Sequence, residues 1–451
     1  MIRAIIVNAI TVGVVLCAAV PVREVSAFST TSNSAIICID IRETIPRNME
    51  GLKKWAKDCG IDTCKGFRLV SDPVDEQDWS VSTSKSLSAN DVVLTVPSEL
   101  LLSSAQIDTF VSTPYQTSFQ KAEQQLEEDG LADQIPLFRL YVILLLHYEV
   151  GDQSPYFAWL DALPRRFYNG VVMTSACFEC LPPYVRYLSE MERDTCQSFR
   201  RALATTRIVT ETTASNTELL NWAYCVVVTR SLEINGSAGE IIRVIAPMAD
   251  MFNHGSFENE VDLAFDQSGN VQVYATRTLS PGTNLRLCYG DPTNPSLFFA
   301  KYGFLDKSPA TFCKLMHLQQ EMAELQLEFS DLLFYRESGE ISPQVWDLLL
   351  YSILKQLPED ARQEQLQGFY EAYMMGEVDA KNLYHRHYFQ YTHQALSDHV
   401  NGTLEELDSL SELVKTKDIA KHPRLSLILK HNNFVKDTFL KVRANLDAML
   451  S

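Results

Sequence analysis

Three motifs within residues 246–304 decide the fold of this chain of 451 residues. They are APMADMFNH (246–254), VQVYATRTLSPGTNLRLCYGD (271–291) and NPSLFFAKYGF (294–304). The first motif ends an apolar run with the polar pair Asn253-His254, which the filling of a core does not explain. The second alternates apolar and polar residues, a pattern typical of a half-buried strand, and leads to Tyr289 beside Gly290.

Together these motifs resemble the two C-terminal motifs of the SET domain, a fold that methylates protein side chains from S-adenosylmethionine. They are most similar to the branch typified by the Rubisco large-subunit lysine methyltransferase. A second aromatic-glycine pair, Tyr302-Gly303, completes the resemblance. It implies an α+β chain, with a SET-domain β-clip fold that contains a pseudoknot, a helical insert and an all-α C-terminal domain.

The resemblance also implies a role for each motif residue. Tyr289 would be the catalytic residue, because its hydroxyl can accept from the attacking amine and the polarised methyl hydrogens without becoming a nucleophile. Asn253 and His254 would pair with the adenine edge of S-adenosylmethionine, since an amide offers a donor and an acceptor together. Asp250 would lie near the target side chain, and Tyr302 would form an aromatic wall of the lysine channel.

Two upstream sites match the same family. Gly66-Phe67 lies in a turn that enters a predicted strand, in the loop that would lie against the cofactor, although family members usually have a second glycine where this chain has Arg68. Arg230 matches an arginine near the cofactor carboxylate and the target chain, where a charge-assisted contact is expected. The predicted cofactor-binding residues are Gly66, Phe67, Arg230, Asn253 and His254, and the predicted substrate-binding residues are Asp250, Tyr302 and Arg230.

The predicted SET domain covers residues 51–308, with its helical insert at about 101–221. Around Gly66 the sequence predicts two strands that flank a polar excursion at 71–88. In the insert, LFRLYVILLLHYEVG (137–151) is apolar nearly all round, which predicts a buried core helix that is too short to span a membrane. SPYFAWLDALP (154–164) matches the start of the insert in this SET branch and predicts an aromatic-rich helix stopped by proline.

Residues 309–451 are predicted to form a helical substrate-binding domain. Ser342-Pro343 predicts a helix start, and Thr403 to Glu406 matches a capping box at the start of another helix. Histone-type SET enzymes close their channel with a zinc-binding cysteine cluster placed just after the SET motifs, whereas only Cys313 follows Phe304 here. The resemblance therefore implies a non-histone substrate, a site closed by the helical domain and no metal.

Composition limits the partners. The formal net charge of −18 argues against a non-specific nucleic-acid binder, which needs a basic face. An acidic body suits a partner that presents a lysine, although acidity also simply keeps proteins soluble. The scattered cysteines do not form a disulfide framework, and Cys177 and Cys180 lack the further ligands that a zinc site needs.

The first 27 residues are predicted to be a signal peptide. An apolar run from Ala4 to Val22 precedes Val25-Ser26-Ala27, a small-residue cleavage site, and a single membrane anchor is the alternative. The Ser-Ala-Phe junction at Phe28 resembles the two-part plastid presequences of algae with secondary plastids. Residues 28–50 are therefore predicted to be a transit-peptide-like segment. We expect plastid localisation, with general secretion as the alternative and no membrane association once the presequence is removed.

The sequence thus predicts a protein-lysine N-methyltransferase that uses S-adenosylmethionine and acts on a non-histone plastid protein. The chain has no Gly-rich dinucleotide fingerprint, phosphate loop or HExxH motif, which disfavours a Rossmann-type methyltransferase site. Arg68 and the long polar loop after it favour one alternative, a catalytically silent SET-like docking module. A protein-histidine N-methyltransferase is the other alternative, but Leu232 is apolar where a pocket for histidine would need a polar partner. The substrate protein, the degree of methylation and the oligomeric state stay open.

Overall fold

A computed structural model describes residues 36–73, 75–236, 239–255, 259–290, 295–305 and 310–450 of the chain, and the side chain of Asp360 is not described. The predicted signal peptide, the start of the transit-peptide-like segment and Asn294 in the third motif lie outside the described residues. The described residues form two compact units, each with its own core. The first comprises residues 36–167 and 191–290, and the second comprises residues 168–190 and 295–450.

The first unit contains three small β-sheets. Its strands are β1 (Asp62–Thr63), β2 (Phe67–Ser71), β3 (Trp79–Thr83), β4 (Val92–Val96), β5 (Leu102–Ser103), β6 (Leu232–Asn235), β7 (Ile241–Ile245), β8 (Asn253–His254), β9 (Val261–Phe265), β10 (Val271–Ala275) and β11 (Asn284–Leu287). The sheet orders are β1-β4-β10-β9, β2-β3-β11-β8 and β5-β7-β6. All pairs are antiparallel except β8 with β11, which run parallel.

Helices fill the predicted insert and precede the first strand. The helices are α1 (Met49–Asp58), α2 (Ile107–Phe110), α3 (Thr113–Glu128), α4 (Ile135–Val150), α5 (Phe157–Asp161), α6 (Ser175–Phe178), α7 (Pro183–Thr206), α8 (Glu211–Ser215) and α9 (Thr217–Arg230). The buried core helix predicted at 137–151 is α4, whose apolar side chains are buried around its whole circumference. The aromatic-rich segment forms α5, which ends three residues before Pro164.

One strand of the first unit was missed by the sequence interpretation. The predicted strands on either side of the polar excursion are present as β2 and β4, but the excursion itself contains β3. The β3 sequence WSVST does alternate, but only Trp79 and Val81 are apolar, so the pattern is too short to stand out inside a polar segment. Pairing decides the structure here, because β3 lies between β2 and β11.

The second unit is mainly helical. Its elements beyond α6 and the first part of α7 are α10 (Pro295–Tyr302), β12 (Ala310–Phe312), α11 (Gln319–Glu324), β13 (Leu333–Tyr335), α12 (Pro343–Lys355), α13 (Glu359–Met374), α14 (Val378–Lys415) and α15 (Leu425–Met449). Among the described residues after 309, β-structure consists of the short β12-β13 ladder and a single bridge between Phe334 and Ile341. The core consists of apolar faces of α12 to α15, with Leu348, Phe369, Leu396 and Phe439 almost fully buried.

The second unit also corrects two sequence details. Thr403 to Glu406 does not begin a helix, because it lies inside α14, where the Thr403 hydroxyl donates to the His399 carbonyl at 2.8 Å. A capping-box pattern has no cap to make where the preceding residues are already helical. Ser342 does precede α12 as predicted, but its Oγ accepts from the Leu333 N–H at 3.0 Å instead of capping the helix.

Candidate active site in the SET-like unit

The first and second motifs meet because β8 pairs in parallel with β11. Asn253 lies opposite Arg286 and His254 opposite Leu287, and the Gly255 N–H donates to the Leu287 carbonyl at 2.8 Å. Only two residues pair, so the contact depends on the alignment of two distant segments rather than on a long ladder. The short strand brings the polar pair beside the residues that follow β11.

Tyr289 is held at both ends by the first motif. Its backbone N–H donates to His254 Nδ1 at 3.1 Å, and the two rings lie 5.3 Å apart. Its hydroxyl donates to the Phe252 carbonyl at 2.5 Å. Because Nδ1 accepts, a neutral His254 ring carries its proton on Nε2. The phenolic oxygen is therefore fixed in direction, and a phenolic oxygen can accept a hydrogen bond as well as donate one.

The predicted glycine loop contacts Phe252, whose carbonyl accepts from the Tyr289 hydroxyl. Gly66 has φ of +124°, which only glycine adopts without strain, and a Cβ there would lie 3.2 Å from the Lys85 backbone nitrogen. The Phe67 ring meets the Phe252 ring edge-on at 6.1 Å. Phe252 thus links the loop to the Tyr289 hydroxyl through its ring and its carbonyl.

Asn253 is exposed, and its amide contacts the neighbouring sheet strand. Its Nδ2 donates to the Trp79 carbonyl on β3 at 3.2 Å. The described contact occupies one amide donor and leaves the amide oxygen as an acceptor. The pairing of Asn253 and His254 with an adenine edge stays a prediction.

Asp250, three residues before Asn253, forms a buried ion pair with Arg230. Arg230 Nη1 lies 2.9 Å from Asp250 Oδ2 and 2.6 Å from the Asp250 carbonyl, and the two side chains are 13% and 1% exposed. Trp159 Nε1 donates to the same carboxylate oxygen at 3.2 Å. Asp250 Oδ1 and Arg230 Nε are buried and hydrogen-bond to no described residue. A buried pair with open polar atoms on both partners indicates a site for a polar ligand.

Arg47 was missed by the sequence interpretation. Its guanidinium donates to the carbonyls of Ala162 at 2.6 Å and Gln77 at 3.2 Å. Burial and then the charge of Arg230 lower the pKa of Arg47 to about 9, so it stays protonated at neutral pH. Gln77 Oε1 is another buried atom with no partner among the described residues. A single arginine before a helix gives no sequence signal, because its neighbours come from three distant segments.

Glu260 anchors β11 through ion pairs. It is 3% exposed, and its carboxylate pairs with Arg286 at 2.8 Å and with Arg277 at 3.3 Å. A buried carboxylate with two arginine partners keeps its charge compensated. These ion pairs fix the strand that precedes Tyr289.

Tyr302 belongs to the second unit, at the end of α10. Its ring lies 5.9 Å from the rings of Phe298 and Phe304. Gly303 follows with φ of +76°, and a Cβ there would lie 2.6 Å from the Tyr168 carbonyl carbon, so the chain can turn here only with glycine. The structure explains the Tyr-Gly pair, while the role of Tyr302 in a lysine channel stays a prediction.

Other site classes find no support among the described residues. No group of three or more histidine, cysteine, aspartate or glutamate side chains there could hold a metal ion. Cys177 and Cys180 are buried free thiols. Within the same ranges, no helix has both the length and the apolar content that a bilayer crossing requires.

Comparison with solved structures identifies the fold. The structure of Rubisco LSMT bound to AdoMet and the SET domain of LSMT bound to lysine and AdoHcy each match with a TM-score of 0.58 and 13% identity, covering 90% of this chain and 92% of theirs. The chain has a SET-domain fold of the LSMT type. The predicted fold class and the predicted resemblance are therefore confirmed.

Sequence comparison finds a relative that is named a lysine methyltransferase. The ribosomal lysine N-methyltransferase set11 of Schizosaccharomyces pombe is 25% identical over 265 residues. The match covers 57% of this chain and 61% of that protein, so the chain spans less than two thirds of the length of its relative. No protein-family model matches the chain.

Proposed function

We propose that this chain is a protein-lysine N-methyltransferase that uses S-adenosylmethionine and acts on a non-histone protein in the plastid. The observation that carries the proposal is the double anchoring of Tyr289 by the Phe252 carbonyl and the His254 ring. Core packing needs no such arrangement, because a half-buried tyrosine can leave its hydroxyl in water. A fixed phenolic oxygen is what alignment of an amine and a methyl group requires.

The residues around Asp250 fit the methionine end of the cofactor. That end carries an ammonium and a carboxylate, and the site offers open polar atoms of matching kinds. Arg230 Nε is a charged donor, Asp250 Oδ1 is a charged acceptor and Gln77 Oε1 is a neutral acceptor, all buried. Arg47 adds a second positive charge beside Arg230. We assign Arg47 and Arg230 to the carboxylate, where charge-assisted hydrogen bonds are the strong ones.

The chain's own groups then account for the chemistry. Bound S-adenosylmethionine would supply an electrophilic methyl group on its sulfonium. The Tyr289 oxygen would accept a hydrogen bond from the target amine and hold its lone pair in line with that methyl. The free amine of lysine has a pKa of about 10.4, so dry surroundings must favour its neutral form before attack. His254 would keep the backbone of Tyr289 in place through Nδ1.

The substrate class rests on charge, localisation and the relatives. The chain carries a formal net charge of −18, which favours a basic segment around the target lysine. The relative is named a ribosomal lysine N-methyltransferase and a structural neighbour is named Rubisco LSMT, so ribosomal protein and Rubisco are both substrates to test. Plastid localisation rests on the Ser26-Ala27-Phe28 junction.

Calorimetric binding and methyl transfer test the proposal with two variants and one control. We expect micromolar binding of S-adenosylmethionine to the wild type and its loss in Asn253→Ala. Tyr289→Phe should bind the cofactor normally but lower kcat about 10²- to 10³-fold, the range for removal of one aligned polar group. Tyr274→Phe is the control, because the Tyr274 hydroxyl only reaches Asp262 on the neighbouring strand at 3.4 Å.

The possible outcomes separate the alternatives. A folded wild-type protein without cofactor affinity would favour the docking module instead. Methyl transfer to a histidine in the product peptide, located by mass spectrometry, would replace the lysine assignment. Plastid extract, purified ribosomal protein and histones serve as acceptors, and transfer confined to histones would contradict the substrate class.

A further inference from the structure

Trp159 is a fully buried indole that donates its only polar hydrogen to Asp250. The ring is 0% exposed, and Nε1 lies 3.2 Å from Asp250 Oδ2. Trp159 belongs to α5, in the segment that was predicted to be an aromatic-rich helix at the start of the insert. The contact joins this helix to the residue predicted to lie near the target side chain, 91 positions away.

The indole cannot easily turn away from this contact. Trp159 packs edge-on against the ring of Tyr156 at 6.3 Å, and Tyr156 packs against His147 at 4.7 Å and Trp55 at 6.4 Å. His147 is itself held by Ser154, whose Oγ lies 3.1 Å from Nδ1. Interlocked rings leave one rotamer for each member, so the direction of the indole N–H is fixed.

The two oxygens of the Asp250 carboxylate are treated differently. Oδ2 receives both the Trp159 N–H and Arg230 Nη1, whereas Oδ1 is buried without a partner among the described residues. Two donors that approach one oxygen from different elements prevent the carboxylate from rotating. The free oxygen therefore points in one direction and carries part of a negative charge in a dry place. Leaving such an atom unmet is costly, so a donor from a ligand is expected there.

We propose that Trp159 is a positioning residue that aims Asp250 Oδ1 at a primary ammonium of the bound ligands. The proposal rests on the proposed function. It deepens that function by assigning Asp250, besides its ion pair with Arg230, a hydrogen bond from a ligand ammonium. Two ammonium groups share this chemistry, the α-ammonium of the cofactor and the side chain of the target lysine before it loses its proton. Trp159 acts only through Asp250 and touches neither ligand in this scheme.

Trp159→Phe tests the proposal, and Trp222→Phe is its matched control. Both substitutions keep an aromatic ring and remove one buried N–H, but Trp222 donates to the Pro164 carbonyl at 2.9 Å, away from Asp250. The ligands are S-adenosylmethionine and its analogue without the α-amino group, each measured by calorimetry. The KM and kcat for an acceptor protein are measured with the same preparations, and thermal unfolding checks that both variants fold.

The possible outcomes show whether the cofactor or the target lysine supplies the ammonium, or they contradict the proposal. If the cofactor supplies it, Trp159→Phe binds S-adenosylmethionine about fivefold to tenfold more weakly while affinity for the deaminated analogue is unchanged. If the target lysine supplies it, both cofactor affinities are unchanged and KM for the acceptor rises by a similar factor. In either case Trp222→Phe behaves as the wild type.

Two results would overturn the inference. If Trp159→Phe loses the same affinity for both ligands, the substitution has damaged the site in general. If both affinities and the KM equal those of the wild type, the indole N–H does not orient Asp250 for a ligand. A wild-type protein that binds neither ligand would instead defeat the proposed function itself, so the two failures are distinguishable.

Discussion

The two units bury charge in opposite ways. In the SET-like unit the Arg230 and Asp250 charges pair at 2.9 Å, and Trp159 adds a donor, yet polar atoms on both partners stay open. In the helical unit the Lys314 ammonium donates to Ser296 Oγ at 3.1 Å and has no acidic partner within ion-pair distance among the described residues. In the first arrangement the two charges compensate each other, and buried polar atoms are left for a ligand. In the second a half-buried ammonium has no ion-pair partner among the described residues.

The uncompensated charge changes the titration of its neighbours. Burial lowers the pKa of Lys314 to about 8, and only Cys313 and Glu406 oppose that change. Burial and then the Lys314 charge lower the pKa of His431 to about 3, and the pKa of His399 falls to about 4, with His317 and Lys314 contributing after burial. The Tyr184 ring lies 5.0 Å from the Lys314 ammonium and gives a weak cation–π contact. We therefore expect changes in the first cluster to affect ligand binding and changes in the second to affect stability.

The largest expected effect comes from breaking the compensated pair. Arg230→Met should lower the free energy of unfolding by about 3–5 kcal/mol, because it leaves the Asp250 carboxylate buried without its cation. Cofactor binding should be lost as well. Arg243→Met is the control, since its partner Glu233 is 30% exposed at 2.6 Å, and it should cost less than about 1 kcal/mol. Urea unfolding measures both, and equal costs would remove the distinction between the two kinds of pair.

Removing the uncompensated charge should have the opposite sign. Lys314→Met should raise the free energy of unfolding at pH 7 by about 1–3 kcal/mol, because the wild type has to keep an ammonium in a dry place. Cofactor affinity should be unchanged. The exposed Lys430→Met is the control and should stay within about 0.5 kcal/mol.

The pH dependence gives the sharper test of Lys314. Between about pH 8 and its ordinary value of 10.5, the native state has released the proton while the unfolded state still binds it. Stability contributed by this group therefore rises with pH across that window, and the advantage of Lys314→Met shrinks over the same range. An advantage that is constant from pH 7 to pH 10 would contradict the assignment.

A smaller effect is expected on the acid side, from His431. Its ring is fully buried and stays neutral in the native state, whereas the unfolded state takes up a proton below about pH 6.5. The protein should therefore lose about 1–2 kcal/mol of stability through this group between pH 7 and pH 5. His431→Leu should flatten that slope whatever its effect at pH 7, and the exposed His387→Leu should leave the slope as it is.

The sequence was informative wherever a local pattern carries the structure. The run of apolar residues in α4 and the alternation at the start of the second motif are such patterns, and both segments form the predicted kind of element. The second motif nevertheless contains two strands, β10 and β11, and it is β11 that leads to Tyr289. The Tyr-Gly pair at 302–303 was recognised as a motif, and the positive φ of Gly303 now gives its physical reason. Local patterns therefore predicted individual elements, because each of them buries a face that its own residues define, whereas the fold class came from the resemblance of the motifs to the SET domain.

The rest depends on contacts between distant segments. Arg47 and Trp159 reach the site from before α1 and from α5, so no spacing in the sequence connects them to Asp250. Lys314 looked like an ordinary lysine, since only the helices packed around it make it unusual. The 38-residue α14 runs through Asn401-Gly402, where the local signals indicated a helix start. Packing against α12 and α15 outweighs a glycine that costs about 1 kcal/mol in a helix.

The smallest effect is expected for Arg68 in the glycine loop, where one sequence expectation can be tested directly. Arg68 replaces the usual second glycine, yet it is exposed, has no positive φ and pairs regularly with Ser82 on β3. Arg68→Gly should therefore cost about 0.5–1 kcal/mol of stability, the usual cost of glycine in a strand, and leave cofactor affinity within about twofold. Gly66→Ala should cost about 1–2 kcal/mol and also weaken the cofactor, because its backbone has φ of +124° and no space beside Lys85. A large gain in affinity from Arg68→Gly would mean that the arginine, and not the backbone of Gly66, limits how this loop meets the cofactor.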